Sequence, residues 1–259
     1  MWLFSSALYF DLMRILLISD IHANFPALQA VIHYFKKNNG FDLVLNGGDT
    51  TVYGPFPNQT IDWLRDHEVV SILGNTDRHV LQLLVGRTFK KPRKAEKRVM
   101  YGWTATELSE PNREWLRSQP VSQVLPPISR GASRGCDVSL AMHHGSPADP
   151  DEFLFATTPQ CRFDELAGLT AQRLITVGHS HSQFHRYSNG VHFINPGSVG
   201  RMFDGKISAA CAVLSVVGHE VDVELLRIAY PVEAVIAELH RVRLPAIYSE
   251  MYRRGRKLN

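Results

Sequence analysis

Short apolar runs alternate with polar breaks and with stretches of helical period over the first third of the chain. Ile15 to Ser19 (ILLIS) is apolar, of strand length, and stops at Asp20. Phe25 to Lys37 puts Leu28, Val31, Ile32 and Phe35 on one helical face, with Pro26 in the first turn. Asp42 to Leu45 predicts a second strand stopping at Asn46-Gly47-Gly48-Asp49, and Ile61 to His67 a helix. Val69 to Leu73 predicts a third strand stopping at Gly74-Asn75. Strand, polar loop, helix, repeated, predicts an α/β fold with a sheet covered by helices.

Farther along, Arg78 to Pro120 holds Trp103, Leu108, Trp115 and Leu116 at helical spacings and predicts a helical segment over one face or edge of the fold. Ser122 to Asp137, with Pro126-Pro127, Gly131 and Gly135, predicts a loop or ragged hairpin. Val138 to Met142 predicts a strand ending at His143-His144-Gly145, Leu174 to Val177 one ending at Gly178-His179, and Val191 to Ile194 one running into Asn195-Pro196-Gly197-Ser198. Ala210 to Val217 and Glu220 to Ile228 predict a hairpin around Gly218-His219, Pro231 to Val242 an amphipathic helix, and Arg253 to Lys257 a basic tail. No repeat or linker interrupts residues 13–259, which read as one domain with its helical segment at 78–120. Met1 to Leu12 has no Lys or Arg and carries Asp11, so it lacks a signal peptide's basic start. It is too short to span a bilayer and reads as an extension or a mis-assigned start ahead of Met13.

Composition adds little to this picture. A hydrophobic fraction of 44% and a charged fraction of 20% are ordinary for a globular protein, and a net charge of +3 is weak support for a polyanionic partner. Cys136, Cys161 and Cys211 stand far apart. They argue against a disulfide framework and suit a reducing cytoplasm.

The chemistry lies in the polar breaks. Asp20-Ile21-His22, Gly47-Gly48-Asp49, Gly74-Asn75, His143-His144-Gly145 and Gly178-His179-Ser180-His181 each follow an apolar run. In open α/β sheets the carboxyl ends of strands carry the site. Alternation along a strand lets Asp20 and His22 reach one ion, and His179 and His181 share that spacing. Each piece alone is ordinary: a loop Asp before a helix is more often a cap, and Gly-Asn is a turn. Together they supply carboxylate, amide and imidazole donors, a mixture that suits first-row transition metals rather than an all-oxygen shell.

The order Asp-x-His, Gly-Asp, Gly-Asn-x-Asp, His-Gly, Gly-His-x-His resembles the calcineurin-like metallophosphoesterase superfamily. Asp20-Ile21-His22-Ala23-Asn24, Tyr53-Gly54-Pro55, His144-Gly145-Ser146-Pro147 and Asn195-Pro196-Gly197-Ser198-Val199-Gly200 resemble its small bacterial and archaeal phosphodiesterase, or diadenosine-tetraphosphatase-like, branch. The resemblance runs from Met13 onward. It implies a four-layer α-β-β-α sandwich of two mixed β-sheets flanked by helices. It implies two divalent metal ions, manganese first, with iron, zinc, nickel or magnesium as alternatives. Asp20, His22, Asp49 and His181 would hold one ion. Asp49, Asn75, His144 and His179 would hold the other, with Asp49 bridging. A metal-bridging hydroxide would then hydrolyse a nucleotide or another small phosphoester, with Asp49, Asn75 and His144 at the reacting centre.

One motif departs from the family. Many relatives have His where this chain has Thr76, and a threonine only donates a hydrogen bond. His79 and His143 are the other candidates for a proton donor. Either one serves, or the leaving group departs unaided, which predicts a preference for aryl over alkyl phosphates. Asn24 and Asn75 are candidate phosphate contacts, Asn24 being equally suited to cap a helix. Arg201 has the chemistry to pair bidentately with phosphate, although a loop arginine in solvent is the commoner case. N–H groups in the Asn195 to Gly200 turn would help hold an anion. The basic stretch Arg87, Lys90, Lys91, Arg93, Lys94, Lys97 and Arg98 reads as a solvated face, so nucleic acid is not the favoured partner; its second use is a positive rim for charged nucleotides. The competing functions are a non-catalytic metal-binding scaffold and a nuclease on the same fold. No membrane partner is expected, and oligomeric state stays open.

Overall fold

A computed structural model describes residues 12–88, 92–128, 138–217 and 220–259. Residues 1–11, and with them nearly all of the expected N-terminal extension, lie outside it, as do the Gly131 to Gly135 loop, Lys90, Lys91, Cys136 and the Gly218-His219 turn. The elements in chain order are β1 (Met13–Ile18), α1 (Phe25–Lys37), β2 (Leu43–Asn46), α2 (Pro57–Asp66), β3 (Val70–Ser71), α3 (Asn75–Leu84), α4 (Ala95–Glu107), α5 (Glu110–Ser118) and β4 (Ser122–Ile128). There follow β5 (Val138–His143), α6 (Gln160–Ala167), β6 (Leu174–Thr176), β7 (Phe184–Ser188), β8 (Val191–Asn195), β9 (Ala209–Val217), β10 (Glu220–Ile228), α7 (Val232–Arg241) and α8 (Ala246–Arg254).

Two five-stranded mixed sheets result, ordered β10-β9-β1-β2-β3 and β4-β5-β6-β8-β7. β1 pairs parallel with β2 and antiparallel with β9, while β5, β6 and β8 run parallel. The period-2 pattern of β1 explains how the sheets stack. Ile15 and Leu17 face Leu140, Met142, Leu174 and Ile194 of the second sheet, whereas Leu16 and Ile18 face the Leu28, Val31, Ile32 and Phe35 stripe of α1. The far face of the second sheet packs Ile175 and Phe193 against Phe163 and Leu166 of α6. Helix, sheet, sheet, helix is the expected four-layer sandwich. Each large side chain fully buried in it stabilises the fold by ~1.5–3 kcal/mol.

The helical segment expected at 78–120 is three helices, and the first starts earlier, at Asn75. With α7 and α8 they enclose a cluster of their own around Val80, Met100, Leu116, Val235 and Tyr248, and Trp115 also touches the α1 layer. β3 is shorter than expected because the Leu73 N–H leaves the ladder and donates to the Pro120 carbonyl at 2.8 Å. Three elements were not anticipated: α6, β7 and α8. In α8 the buried Tyr248, Met251 and Tyr252 sit among charged neighbours, and the supposed basic tail is partly its last turn, with Arg253 and Arg254. Among the described residues, no helix is long and apolar enough to cross a membrane.

Candidate metal centre

The carboxyl ends of β1, β2, β5 and β6 and the first turn of α3 meet at one edge of the sandwich. Asp20, His22, Asp49, His179 and His181 all lie past their strands, in left-handed backbone with φ of 53°, 51°, 52°, 63° and 54°. Asp and His are among the side chains that tolerate this region, and such conformations gather at functional sites. Asp20 and His22 are therefore brought together by a turn, not by strand alternation. His179 and His181, which share the spacing, go to different clusters. Glycine makes the approach possible. A Cβ on Gly74 would lie 2.1 Å from Asp49 Oδ1, and Gly48, at φ 94°, would place one 2.5 Å from the Gly74 nitrogen.

Two groups of donor atoms result, each with all members within 4.8 Å of one another: Asp20, His22 and His181, and Asp49, His144 and His179. Backbone carbonyls fix the imidazoles. Nδ1 of His22 lies 3.2 Å from the Thr51 oxygen, that of His144 2.8 Å from Gly47, and that of His181 2.6 Å from Arg201. A carbonyl only accepts, so each Nδ1 carries a proton there and Nε2 is the nitrogen turned inward. His22 Nε2 and His181 Nε2 then face each other at 3.2 Å. Asp20 Oδ1, 3.2 Å from His181 Nε2, is buried with no hydrogen-bond donor, while Oδ2 accepts from the Ser19 hydroxyl and the His179 N–H. A buried carboxylate oxygen beside two inward imidazole nitrogens is a donor set that fits a cation.

The second group has the same character. Asp49 Oδ1 accepts the Thr76 N–H at 2.8 Å and lies 3.5 Å from His144 Nε2, while Oδ2 lies 3.8 Å from His22 Nε2. The Asn75 amide sits against His144 Nε2, His179 Nδ1 and Asp49 Oδ2. Either its nitrogen donates to these three acceptors, or its oxygen joins them around a cation; as placed, Oδ1 points at His144 Nε2 from 3.2 Å.

Electrostatics divide the histidines. Burial holds the His22 imidazole down at about 3, against the pull of Asp49. Burial would also lower His144, but Asp49, Asp20 and the Gly47 carbonyl raise it to about 9. Burial would raise Asp49, yet His144, His22 and His179 hold its carboxyl well below the usual range. Burial lowers His179 as well. Asp77, absent from the sequence-based site, is buried and accepts from the N–H groups of Thr50, Thr51 and Gly74 and from the Thr51 hydroxyl. It ties the Asp49 loop to the start of α3; the Gly-Asn-x-Asp spacing was its only signal.

The remaining candidates separate cleanly. Arg201 is only 8% exposed, with its guanidinium carbon 4.0 Å from the Tyr53 ring centroid, so it is no solvated loop residue. Asn24 is fully buried; Oδ1 caps α1 through the Ala27 N–H and Nδ2 donates to the Gly200 carbonyl, which is the cap role and not a phosphate contact. The N–H groups expected to hold an anion after Asn195 are engaged: Gly197 with Asn195 Oδ1, Val199 with the Ser19 carbonyl, Gly200 with that of Asp20. Of the two spare histidines, His79 lines the cavity above the clusters and His143 does not. Phe153 stacks on His179 at 3.9 Å and Phe203 on His181 at 4.7 Å, contacts invisible in the sequence. Arg93 and Lys94 are exposed, as expected of a solvated face, and with the half-buried Lys97 they also line the same cavity.

Comparison with known proteins agrees with this geometry. An uncharacterized protein of Methanocaldococcus jannaschii is 29% identical over 264 residues, covering 93% of this chain and 98% of that one. A symmetrical bis(5'-nucleosyl)-tetraphosphatase of Citrobacter koseri is 30% identical over 177 residues, 62% of this chain and 61% of the enzyme. Among solved structures, a metallophosphoesterase from Sphaerobacter thermophilus shares the fold with a TM-score of 0.74 at 24% identity, over 94% of this chain and 99% of the other. A hypothetical protein from Pyrococcus horikoshii does so with a TM-score of 0.80 at 17% identity, over 95% and 99%. The sequence pattern of the calcineurin-like phosphoesterase superfamily domain matches residues 13–218, a span that takes in every cluster from Asp20 to His181. The chain therefore belongs to the calcineurin-like phosphoesterase superfamily and is a metal-dependent phosphoesterase.

Proposed function

We propose that this phosphoesterase is a two-metal hydrolase of nucleotides or other small phosphoesters. The observation that carries the reading is the position of Asp49, which turns one carboxylate oxygen toward His144 and the other toward His22. Asp20, His22, Asp49 and His181 would hold one divalent ion, and Asp49, Asn75, His144 and His179 the other. The imidazole and carboxylate donors suit a first-row transition metal; the family resemblance puts manganese first, with iron, zinc, nickel and magnesium as alternatives. Such ions supply Lewis acidity toward phosphoryl oxygens and a water acidified toward neutral pH.

The chain's own groups do the rest. The carbonyls of Thr51, Gly47 and Arg201 keep the Nδ1 protons of His22, His144 and His181 and so aim each Nε2 inward. The Arg201 guanidinium lines the cavity and draws the phosphate by charge-assisted hydrogen bonds. The Thr76 hydroxyl donates to the Thr51 carbonyl at 3.3 Å, so it has no proton to spare for a leaving group. Burial and Arg78 lower the His79 imidazole, which leaves it neutral at pH 7 and a weak acid. Esters with good leaving groups fit such a site. The tetraphosphatase relatives support a nucleotide substrate, and the free Cys161 and Cys211 support a reducing cytoplasm.

The test is hydrolysis by manganese-reconstituted protein of bis-p-nitrophenyl phosphate, p-nitrophenyl phosphate, cyclic nucleotides and diadenosine tetraphosphate, with Asp49→Asn as control. Turnover of at least one substrate, lost in the control, is expected. No turnover with any metal would sink the reading, and full turnover in the control would remove Asp49 from its place between the ions.

A further inference from the structure

The cavity over the two clusters has a volume of about 920 Å³, far more than one phosphate fills. Its wall away from the ligands is basic. Arg93 and Lys94 precede α4, Lys97 lies in its first turn, and Lys257 comes from the segment after α8. Local structure brings these two segments together. Gly255, at φ 56°, ends α8 in a left-handed turn, and its carbonyl accepts the Gly205 N–H at 2.9 Å. Asn259 Nδ2 then donates to Glu96 Oε1 at 3.2 Å and to the Tyr248 hydroxyl at 3.3 Å, which pins Lys257 beside α4.

No carboxylate among the described residues forms an ion pair with Arg93, Lys94, Lys97 or Lys257. Burial, then Lys257, Arg201 and Lys94, push the Lys97 ammonium below its ordinary value, which places these charges within reach of one another. Arg201 completes the set. It is buried over Tyr53, and its side-chain hydrogen bond goes to Met251 Sδ at 3.4 Å, not to a carboxylate. The Arg201 guanidinium is buried, Lys97 is half-buried and Arg93, Lys94 and Lys257 are exposed, so the cavity wall carries like charges that an entering anion offsets.

We propose that Lys94, Lys97 and Lys257, with Arg93, form a second anion subsite that takes the additional phosphate groups of a substrate bearing a phosphate chain, while the scissile phosphate lies at the metal clusters. The proposal rests on the phosphohydrolase reading for the purpose of the subsite, but not for its detection. Arg201 lines the same cavity within electrostatic reach of both His22 and Lys97, and serves both. A nucleoside polyphosphate and a linear inorganic polyphosphate share the chemistry that would be recognised. The exposed Phe153 and Phe155, which line the same cavity, offer a flat apolar face to a nucleoside ring.

Titration calorimetry of the metal-free protein at low salt tests this without turnover and without chelation of metal by the ligand. The probes are inorganic tripolyphosphate, orthophosphate, a nucleoside triphosphate and a single-stranded DNA oligonucleotide. Tripolyphosphate should bind at least about tenfold tighter than orthophosphate, and Lys97→Ala and Lys257→Ala should each weaken it by about tenfold, the scale of one charge-assisted contact. Lys97→Arg should retain binding, and Lys36→Ala on α1, which removes the same net charge elsewhere, should leave it unchanged. Tighter binding of the nucleoside triphosphate than of tripolyphosphate supports the subsite and adds the aromatic face to it. Equal binding of tripolyphosphate and orthophosphate would overturn the proposal. So would an equal loss in Lys36→Ala, or a preference for the oligonucleotide, which would make the wall a nucleic-acid surface. If hydrolysis fails while tripolyphosphate binding follows this pattern, the phosphohydrolase reading falls and the subsite stands.

Discussion

The Nδ1 of His181 lies 2.6 Å from the carbonyl oxygen of Arg201. One residue thus orients an imidazole of the Asp20, His22, His181 cluster with its backbone and presents its guanidinium to the cavity with its side chain. Mutation separates the two roles, because Arg201→Ala keeps the carbonyl. The variant should bind metal as the native protein does, by atomic emission. Its KM for a phosphodiester should rise about 10- to 100-fold, as expected for a lost charge-assisted pair. Metal loss in step with activity would mean that the side chain, not the carbonyl, supports the His181 cluster.

On the two-metal reading, His144 carries a proton that an incoming ion would displace. With its folded value at about 9 and an unfolded value near 6.5, it contributes fully to the stability of the metal-free protein below about pH 6.5, and that contribution fades as pH rises through about 9. His22, held at about 3, has no proton to lose at pH 7. Metal affinity at the Asp49, His144, His179 group should therefore rise about tenfold per pH unit up to about pH 9, with one proton released per ion. Calorimetry in buffers of different ionisation heat counts that proton. An affinity that does not change between about pH 6 and 8 would contradict the assignment.

Asp77 acts at one remove from the two donor clusters. Its carboxylate accepts four hydrogen bonds from Thr50, Thr51 and Gly74 and so holds the Asp49 loop on the start of α3. Asp77→Asn keeps the shape but turns one acceptor into a donor facing donors. It should cost about 1–3 kcal/mol in urea unfolding, the penalty of a buried unsatisfied group, and weaken metal binding about 10- to 100-fold. Native stability together with native metal affinity would show that the Asp49 loop holds itself.

Legibility follows from how local each feature is. α1 runs over the residues its periodicity indicates because Leu28, Val31, Ile32 and Phe35 find the face of β1 that Leu16 and Ile18 leave open. The meeting of the five polar clusters is legible for a similar reason: each ends an apolar run, and parallel strands end on one side. The left-handed turns at Asp20, His22 and Asp49 are not legible, since they depend on contacts such as Gly74 against Asp49. Nor is the fate of Lys94, Lys97 and Lys257. The run of cations is solvated as it reads, but that it shares a cavity with Lys257 depends on a distant segment turned by Gly255 and pinned by Asn259.

Thr76 stands where an imidazole would supply a proton to the leaving group, and it supplies none. Its hydroxyl is buried and committed to the Thr51 carbonyl, and the nearby His79 imidazole is neutral at pH 7 because burial and Arg78 lower it. Neither group can deliver a proton as an imidazolium would. A general acid contributes about 10²–10⁴-fold, so alkyl esters should be cleaved slower than p-nitrophenyl esters by that order. The ratio should not change in Thr76→Val or in His79→Ala, since neither side chain supplies the proton. Steady-state rates for an aryl and an alkyl phosphodiester, compared across the native protein and both variants, decide the matter. Equal native rates would reveal an acid elsewhere in the cavity. A His79→Ala loss confined to the alkyl ester would name His79 as that acid.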